Sequence, residues 1–327
     1  MDKVLLKINE LYGLNVSFFE RVSAGFLSEN HILSDDKRKF FLKKYRFDNF
    51  KRVAEVHASK QYFADGGIPV ILPLSVLDGR TFFTYNSSYY ALFPFVNGKH
   101  LERWTLTDTA IVSLGEMLGR IHLLGRQSGL IIDDRFKIEN KENTFKKIEA
   151  ILARINAKDS FSDFDKIALE NVQMKKELLL ANTLNVKGLN LDSDHLIHGD
   201  YLDQNVFFDK DHTVQYVFDF EKTNYSPRTY ELFRSMVYSF LSAGATKMDL
   251  EIAKKYLDAY SRVYPISKDE IRRGLQLFFL KVIHGFWVES EHYLKDNARV
   301  DSFLLDDHKR IKFLSKNLLA LTDFLTT

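Results

Sequence analysis

Residues 196–221, which read LIHGDYLDQNVFFDKDHTVQYVFDFE, constrain the fold and chemistry of this chain more than any other stretch. Two apolar runs, VFF and VQYVFDF, flank a polar segment at residues 209–212, which predicts a β-hairpin. Asp200 and Asn205 come just before the first strand, and Asp219 lies at the end of the second. We therefore expect three oxygen-bearing side chains to converge on one end of a rigid hairpin.

These three side chains suit phosphoryl transfer, which depends on an aligned hydroxyl and on cations that absorb phosphate charge. Mg²⁺ takes oxygen ligands and usually keeps one or two protein groups beside phosphate and water. Asn205 and Asp219 fit that demand, and Asp200 fits the carboxylate that orients a hydroxyl or accepts its proton. His198 is expected to brace the loop through hydrogen bonds. Unrelated turn residues are the alternative interpretation, which the shared spacing, order and hairpin disfavour.

Composition excludes several other classes of protein. Lysine and arginine total 46 against 44 acidic residues, so the net charge of +2 gives no electrostatic support for a nucleic-acid or membrane-surface role. The chain has no cysteine, which excludes disulfides, cysteine-ligated zinc and thiol catalysis. The sequence contains neither a signal-peptide pattern nor an apolar run long enough to span a bilayer, so a cytoplasmic location is expected.

The pattern HGD-x-x-x-x-N, followed by a strand that ends in D-F-E, resembles the aminoglycoside phosphotransferase and choline kinase superfamily. That resemblance covers most of the chain and implies an α+β, bilobal, protein-kinase-like fold. Residues 1–97 would form a small β-rich ATP-binding lobe, with strands at 74–77 and 81–85 among others. Residues 98–327 would form a large, mostly helical lobe for catalysis and substrate binding. The Asn97-Gly98 pair is the expected boundary.

The resemblance also implies residues that bind ATP. The segment FFLKKY resembles the strand that ends in the ATP lysine, for which Lys43 is the first choice and Lys44 the second. Glu55 matches the helix glutamate that pairs with this lysine. Phosphate oxygens would meet Ser28 and the backbone near Gly25, although a plain turn is nearly as well supported there. Residues 91–96 resemble the connector that binds adenine, where Phe93 or Phe95 would contact the base.

Two further segments bear on the site. Glu231 stands where the superfamily usually has an aspartate that braces the active-site loop, and it follows Asp219 too closely for a long activation segment. This spacing favours small-molecule substrates over proteins. An aromatic and acidic cluster, with Trp287, Glu289 and Tyr293, would suit a cationic acceptor. An amphipathic surface helix is the alternative interpretation, and it is favoured for most of that cluster because helical spacing prevents all of these side chains from facing one site.

The predicted activity is transfer of the γ-phosphate of ATP, with Mg²⁺, to a hydroxyl of a small molecule such as an aminoglycoside, an amino alcohol or a sugar-like compound. Asp200 would position that hydroxyl. Two alternatives stay open: a kinase-like structural or binding protein without catalysis, and a bacterial Ser/Thr protein kinase of the same superfamily.

Overall fold

The computed structural model describes residues 2–22, 29–102, 105–242 and 244–327. The first lobe is a five-stranded antiparallel sheet in the order β1-β2-β3-β5-β4, with two helices. Its elements are α1 Asp2–Tyr12, β1 Phe18–Val22, β2 Asn30–Ser34, β3 Lys39–Lys44, α2 Phe50–Asp65, β4 Phe83–Tyr85 and β5 Ser88–Pro94. Neighbouring side chains of a strand point to opposite faces, so β3 serves two separate cores.

The two helices lie on opposite faces of this sheet. Leu42 of β3 packs in one apolar cluster with Ile8 of α1, whereas Phe41 packs in the other cluster with Val53 of α2. Lys43 therefore shares the α2 face with Phe41. Asn49 begins α2 by accepting a hydrogen bond from the backbone of Arg52, which is the usual contact of an asparagine at a helix N-cap.

The second lobe is mostly helical and contains two small two-stranded sheets, β6-β9 and β7-β8. Its largest apolar cluster joins α3, α6, α7 and α8 around the strands, which gives the catalytic segments a rigid base. These elements are α3 Asp108–Gly125, α4 Lys141–Asn156, α5 Asp163–Ala181, β6 His195–Ile197, β7 Val206–Phe208, β8 Val214–Val217, β9 Asn224–Ser226, α6 Arg228–Phe240, α7 Leu250–Val263, α8 Lys268–Ile283, α9 Trp287–Lys295 and α10 Leu304–Leu325.

The β7-β8 hairpin contacts the connector between the lobes and a segment of the first lobe that follows α2. On one side, the backbone nitrogen of Phe208 donates to the carbonyl of Lys99, just beyond the predicted boundary, at 2.9 Å. On the other side, the nitrogen of Val217 donates to the carbonyl of Pro69 at 2.9 Å. A Cβ added to Gly98 would lie 2.0 Å from the Phe207 ring, so a residue without a side chain is required where the connector crosses the hairpin.

Two details of the first lobe differ from the sequence expectation. Residues 74–77 form no strand and contribute only single backbone hydrogen bonds, such as that from Leu74 to the carbonyl of Leu92 at 2.7 Å. Helix α1 was not predicted, although Val4, Ile8 and Tyr12 share its buried face. Among the helices that the structure describes, none has the length and apolar character to cross a membrane.

Candidate active site

The loop that carries His198, Gly199 and Asp200 follows β6 and turns sharply under the first lobe. Gly199 has a φ of +86°, and an added Cβ would lie 2.0 Å from the carbonyl oxygen of Lys222. A side chain at this position would clash with that backbone whatever its rotamer, so the turn requires glycine. The loop is thereby pressed against the segment that follows β8.

Glu231 braces this loop from below. Its carboxylate accepts hydrogen bonds from the backbone nitrogens of His198 at 3.0 Å, Gly199 at 2.5 Å and Tyr201 at 3.3 Å. The ring of His122 lies 3.1 Å from the same carboxylate. Burial alone would raise the pKa of Glu231, but its contacts with His122 outweigh that effect and lower it. A buried, ionised carboxylate therefore fixes the loop, and the glutamate supplies the support that an aspartate was expected to give.

His198 is oriented by two backbone groups. Its Nδ1 accepts from the nitrogen of Asp200 at 3.1 Å, so its Nε2 carries the hydrogen and donates to the carbonyl of Phe218 at 2.7 Å. Burial lowers the pKa of His198 and favours the neutral ring. The residue links the catalytic loop to the end of β8, which agrees with a bracing role.

Asp200 lies between two cations. Its carboxylate contacts Arg234 Nη2 at 2.5 Å and Lys222 Nζ at 2.8 Å, and its side chain is 16% exposed. Burial would raise the pKa of Asp200, but these two positive charges outweigh it and hold the pKa well below the ordinary value. The carboxylate is ionised throughout the physiological pH range and can accept a hydrogen bond from an incoming hydroxyl.

Asn205 and Asp219 meet beside this loop. The backbone nitrogen of Phe218 donates to the carbonyl of Asn205 at 3.1 Å. This bond places Asn205 and Asp219, the residue after Phe218, on neighbouring strand ends. The Asn205 amide nitrogen donates to the carbonyl of Asp200 at 2.7 Å, and this leaves its side-chain oxygen available to a metal. Asp219 has a left-handed backbone, with φ 63° and ψ 57°, and its side chain is 38% exposed.

Oxygen donors of this kind fit Mg²⁺. No group of three or more histidine, cysteine, aspartate or glutamate side chains that could hold a metal occurs in the described ranges. One carboxylate and one amide oxygen nevertheless match a Mg²⁺ ion that completes its shell with phosphate oxygens and water.

Lys43 reaches across the cleft to the second lobe. Its ammonium lies 2.8 Å from Asp219 Oδ1 and 2.6 Å from Glu221 Oε1. Burial would lower the pKa of Lys43, but the two carboxylates outweigh it and raise the pKa above its ordinary value. Lys44 points away and pairs with Glu29 at 2.9 Å on the surface. The geometry thus favours Lys43 over Lys44 as the cation next to the metal ligands.

A sequence profile described as APH, the phosphotransferase enzyme family, matches residues 19–266. The chain belongs to this phosphotransferase family. Curated relatives named stress response kinase A, from Escherichia coli K12 and Shigella flexneri, are 30% and 28% identical over 95 residues. Those matches cover only 28% of this chain and 28% of the length of each relative.

Solved structures of kinases share the fold over nearly their full length. A microcompartment-associated aminopropanol kinase superposes with a TM-score of 0.68 at 12% identity, covering 100% of both chains. A spectinomycin phosphotransferase, in complex with ADP and spectinomycin, gives 0.66 at 16% identity, covering 98% of this chain and 97% of its own. A choline kinase from Cryptosporidium parvum gives 0.57 at 11% identity, covering 100% and 99%. The predicted α+β, protein-kinase-like fold is confirmed.

The expected pairing of Glu55 with Lys43 is wrong in this structure. Glu55 turns away from β3 and contacts Arg135 at 2.7 Å and Arg52 at 3.4 Å, since Lys43 is already held from the second lobe. Glu221, the last residue of D-F-E, takes the place beside the lysine. The sequence indicates this difference, because the third residue of D-F-E is a glutamate, whereas the third residue of D-F-G in protein kinases is a glycine without a side chain.

The expected nucleotide contacts are only partly visible. Phe93 is buried in the sheet core, whereas Phe95 is half-buried on the connector and its nitrogen donates to the carbonyl of Lys39 at 3.2 Å. Across the connector, the rings of Phe207 and Phe218 lie 4.7 Å apart. Gly25 and Ser28 lie outside the described residues. Phe95 therefore stays a predicted adenine contact, and Phe207 and Phe218 are aromatic neighbours that the sequence reading did not single out.

The C-terminal cluster does not form a binding site for a cationic acceptor. Glu289 is fully buried and accepts a hydrogen bond from Asn171 at 2.8 Å. Tyr293 is also buried and donates to Asp165 at 2.6 Å. Trp287 is 47% exposed and packs on Phe303 instead. These residues join helices of the second lobe, so their expected role as one substrate surface is wrong.

A cavity of about 510 Å³ opens beside the catalytic loop. It lies between α2, the segment around residue 135 and α8, and Gly199 forms part of its wall. A volume of this size suits a small-molecule ligand. The charged part of its lining consists mostly of basic side chains, namely Arg52, Arg135, Lys222 and Lys281.

Proposed function

We propose that the chain transfers the γ-phosphate of ATP to a hydroxyl of a small molecule bound in the cavity beside Asp200. The observation that carries this proposal is the convergence of Lys43, Asp219, Asn205 and Asp200 at one cleft between the lobes. Lys43 lies 2.8 Å from Asp219, and the Asn205 amide contacts the backbone of Asp200 at 2.7 Å. Membership in a phosphotransferase family supports the reaction class.

Each residue has a distinct part in this proposal. Asn205 and Asp219 hold Mg²⁺, which neutralises phosphate charge when it is bound. Lys43 is kept in the cleft by Glu221 and contacts the phosphates of ATP. Asp200 accepts a hydrogen bond from the acceptor hydroxyl and aligns its oxygen for in-line attack. Glu231 and His198 keep the loop in the required geometry.

The test is ADP formation with Mg-ATP across a panel of hydroxyl-bearing metabolites, comparing the wild type with Asp200→Ala. The variant should lose roughly 10²- to 10⁴-fold in kcat with any acceptor that the wild type uses. A thermal shift with Mg-ATP serves as the control, since Asp200→Ala should still bind nucleotide. An acceptor turnover by Asp200→Ala that equals that of the wild type would contradict the proposal. No thermal shift in the wild type would instead favour a kinase-like binding module.

A further inference from the structure

The cavity that is lined by Gly199, the neighbour of Asp200 in the chain, has an unusual balance of charge for a site that would take an amine. Arg52, Arg135, Lys222 and Lys281 all line it, and among its described lining residues Glu221 is the single carboxylate. That carboxylate is already engaged, because Glu221 pairs with Lys43 at 2.6 Å and with Arg46 at 3.2 Å. The lining itself therefore carries more cationic than anionic side chains.

Three of the four cations have carboxylate partners outside the cavity lining. Arg135 and Arg52 share Glu55, and Lys222 pairs with Asp200 at 2.8 Å. A positively charged acceptor would have to approach this array against like-charge repulsion. An anionic acceptor would instead gain charge-assisted hydrogen bonds from groups that are already in place.

Lys281 is the least compensated of the four. Within the part of the chain that the structure describes, no carboxylate lies within ion-pair distance of its ammonium. The ammonium donates to the backbone carbonyl of Lys137 and lies 5.3 Å from the ring centroid of Phe136. Burial lowers the pKa of Lys281, and Glu139, which opposes this effect from beyond ion-pair distance, already pairs with Lys147 at 2.8 Å. A half-buried lysine with no carboxylate in direct contact, at the wall of a cavity, is suited to receive a ligand anion.

We infer that the acceptor is an alcohol that also carries a carboxylate or phosphate group, held by Lys281 and Arg135 while its hydroxyl meets Asp200. This inference rests on the proposed function. Phe136 and Tyr230, whose ring centroids lie 4.8 Å apart on the cavity wall, would pack against the carbon skeleton. The volume of about 510 Å³ favours a small molecule over an acidic protein segment.

The test compares three probes with a common skeleton: glycerol 3-phosphate, glycerol and 3-aminopropane-1,2-diol. Each is titrated at constant ionic strength into the full-length chain saturated with a Mg²⁺ complex of a non-hydrolysable ATP analogue, and the thermal shift is recorded. A ligand that binds the folded state raises the melting temperature by an amount that grows with the ratio of its free concentration to its Kd. Glycerol 3-phosphate should give the largest shift, and its apparent Kd should rise about tenfold or more in Lys281→Gln.

Two variants separate ligand binding from folding. Lys281→Arg keeps the charge and should retain most of the shift, whereas Lys316→Gln removes an exposed lysine of α10 and should behave as the wild type. The inference is overturned by no shift with glycerol 3-phosphate, by an equal shift in Lys281→Gln, or by a larger shift with the amine. It is also overturned if the kinase phosphorylates an acidic protein such as casein and none of the small acids. Loss of nucleotide binding would count against the proposed function instead.

Discussion

Lys60 gives a quantitative prediction about stability, because α2 buries it without a carboxylate partner in the described parts of the chain. Its side chain is 5% exposed, and its ammonium makes one long hydrogen bond, at 3.4 Å, to the carbonyl of Ile71. The ring centroid of Phe93 lies 4.4 Å away. Burial, and then repulsion from Lys43, lower the pKa of Lys60 from 10.5 to about 7, although Asp219 and Glu221 partly oppose them.

The sign of the effect follows from the two pKa values. The unfolded chain binds a proton at Lys60 more strongly than the folded chain does, so stability rises as the pH increases from about 7 towards 10.5. Below the folded pKa, holding the charge inside costs about 5 kcal/mol. At pH 9 the remaining cost is about 2 kcal/mol. Lys60→Met keeps the side-chain length and removes the ammonium. It should therefore raise the free energy of unfolding by up to the cost of the buried charge at each pH.

The assay is urea unfolding of the wild type and Lys60→Met at pH 6 and pH 9. The difference in unfolding free energy between the variant and the wild type should be about 3 kcal/mol smaller at pH 9 than at pH 6. The neighbouring His57 does not interfere, since burial lowers its pKa to about 3. The control is Lys175→Met, another buried lysine, which pairs with Asp307 at 2.8 Å. That variant should be less stable by roughly 3–5 kcal/mol, because it removes the cation beside the buried carboxylate of Glu289, 3.8 Å away. A pH-independent difference for Lys60→Met would refute the reasoning.

Two further predictions concern the active site. Glu221→Gln should raise the KM for ATP by about tenfold, because it weakens the ion pair that positions Lys43. Glu55→Gln should leave that KM within about twofold. Equal effects of the two variants on the KM in steady-state kinetics would contradict the assignment of Glu221 as the partner of Lys43. Glu231→Asp shortens the brace by one methylene and should withdraw its carboxylate from the nitrogens of Gly199 and its neighbours. The variant should lose about 2 kcal/mol of stability and much of its kcat, and a wild-type melting curve with full turnover would contradict this.

The β7-β8 hairpin and its polar residues could be predicted because all the necessary information is local. Alternation of side chains, a short polar turn and fixed offsets place Asn205 and Asp219 without reference to the rest of the chain. The bracing role of Glu231 was expected from the resemblance to the superfamily, which usually has an aspartate at this position. Helix α1 also has a local signal, since Val4, Ile8 and Tyr12 recur every fourth residue.

The predictions for Glu55 and Glu289 were wrong about the direction in which a helical side chain points and about the element that it contacts. Glu55 lies on the expected helix, yet its contact with Arg135 depends on where a loop of the second lobe returns. Glu289 looks like a surface acid in the sequence, but it is buried, 3.8 Å from the equally buried Lys175 on another helix. Such pairings arise between segments far apart along the chain, and no local pattern specifies them.

The setting of Asp200 indicates how the proposed transfer would proceed. Arg234 and Lys222 hold the pKa of this carboxylate so low that it is a weak base, so it is poorly suited to remove a proton from an alcohol early in the reaction. In a loose transition state, bonding to the attacking oxygen is weak and its proton is retained until late. A permanently ionised carboxylate then serves mainly to orient the hydroxyl. Arg234 and Lys222, which weaken this carboxylate as a base, therefore leave it suited to alignment of the hydroxyl and not to its early deprotonation.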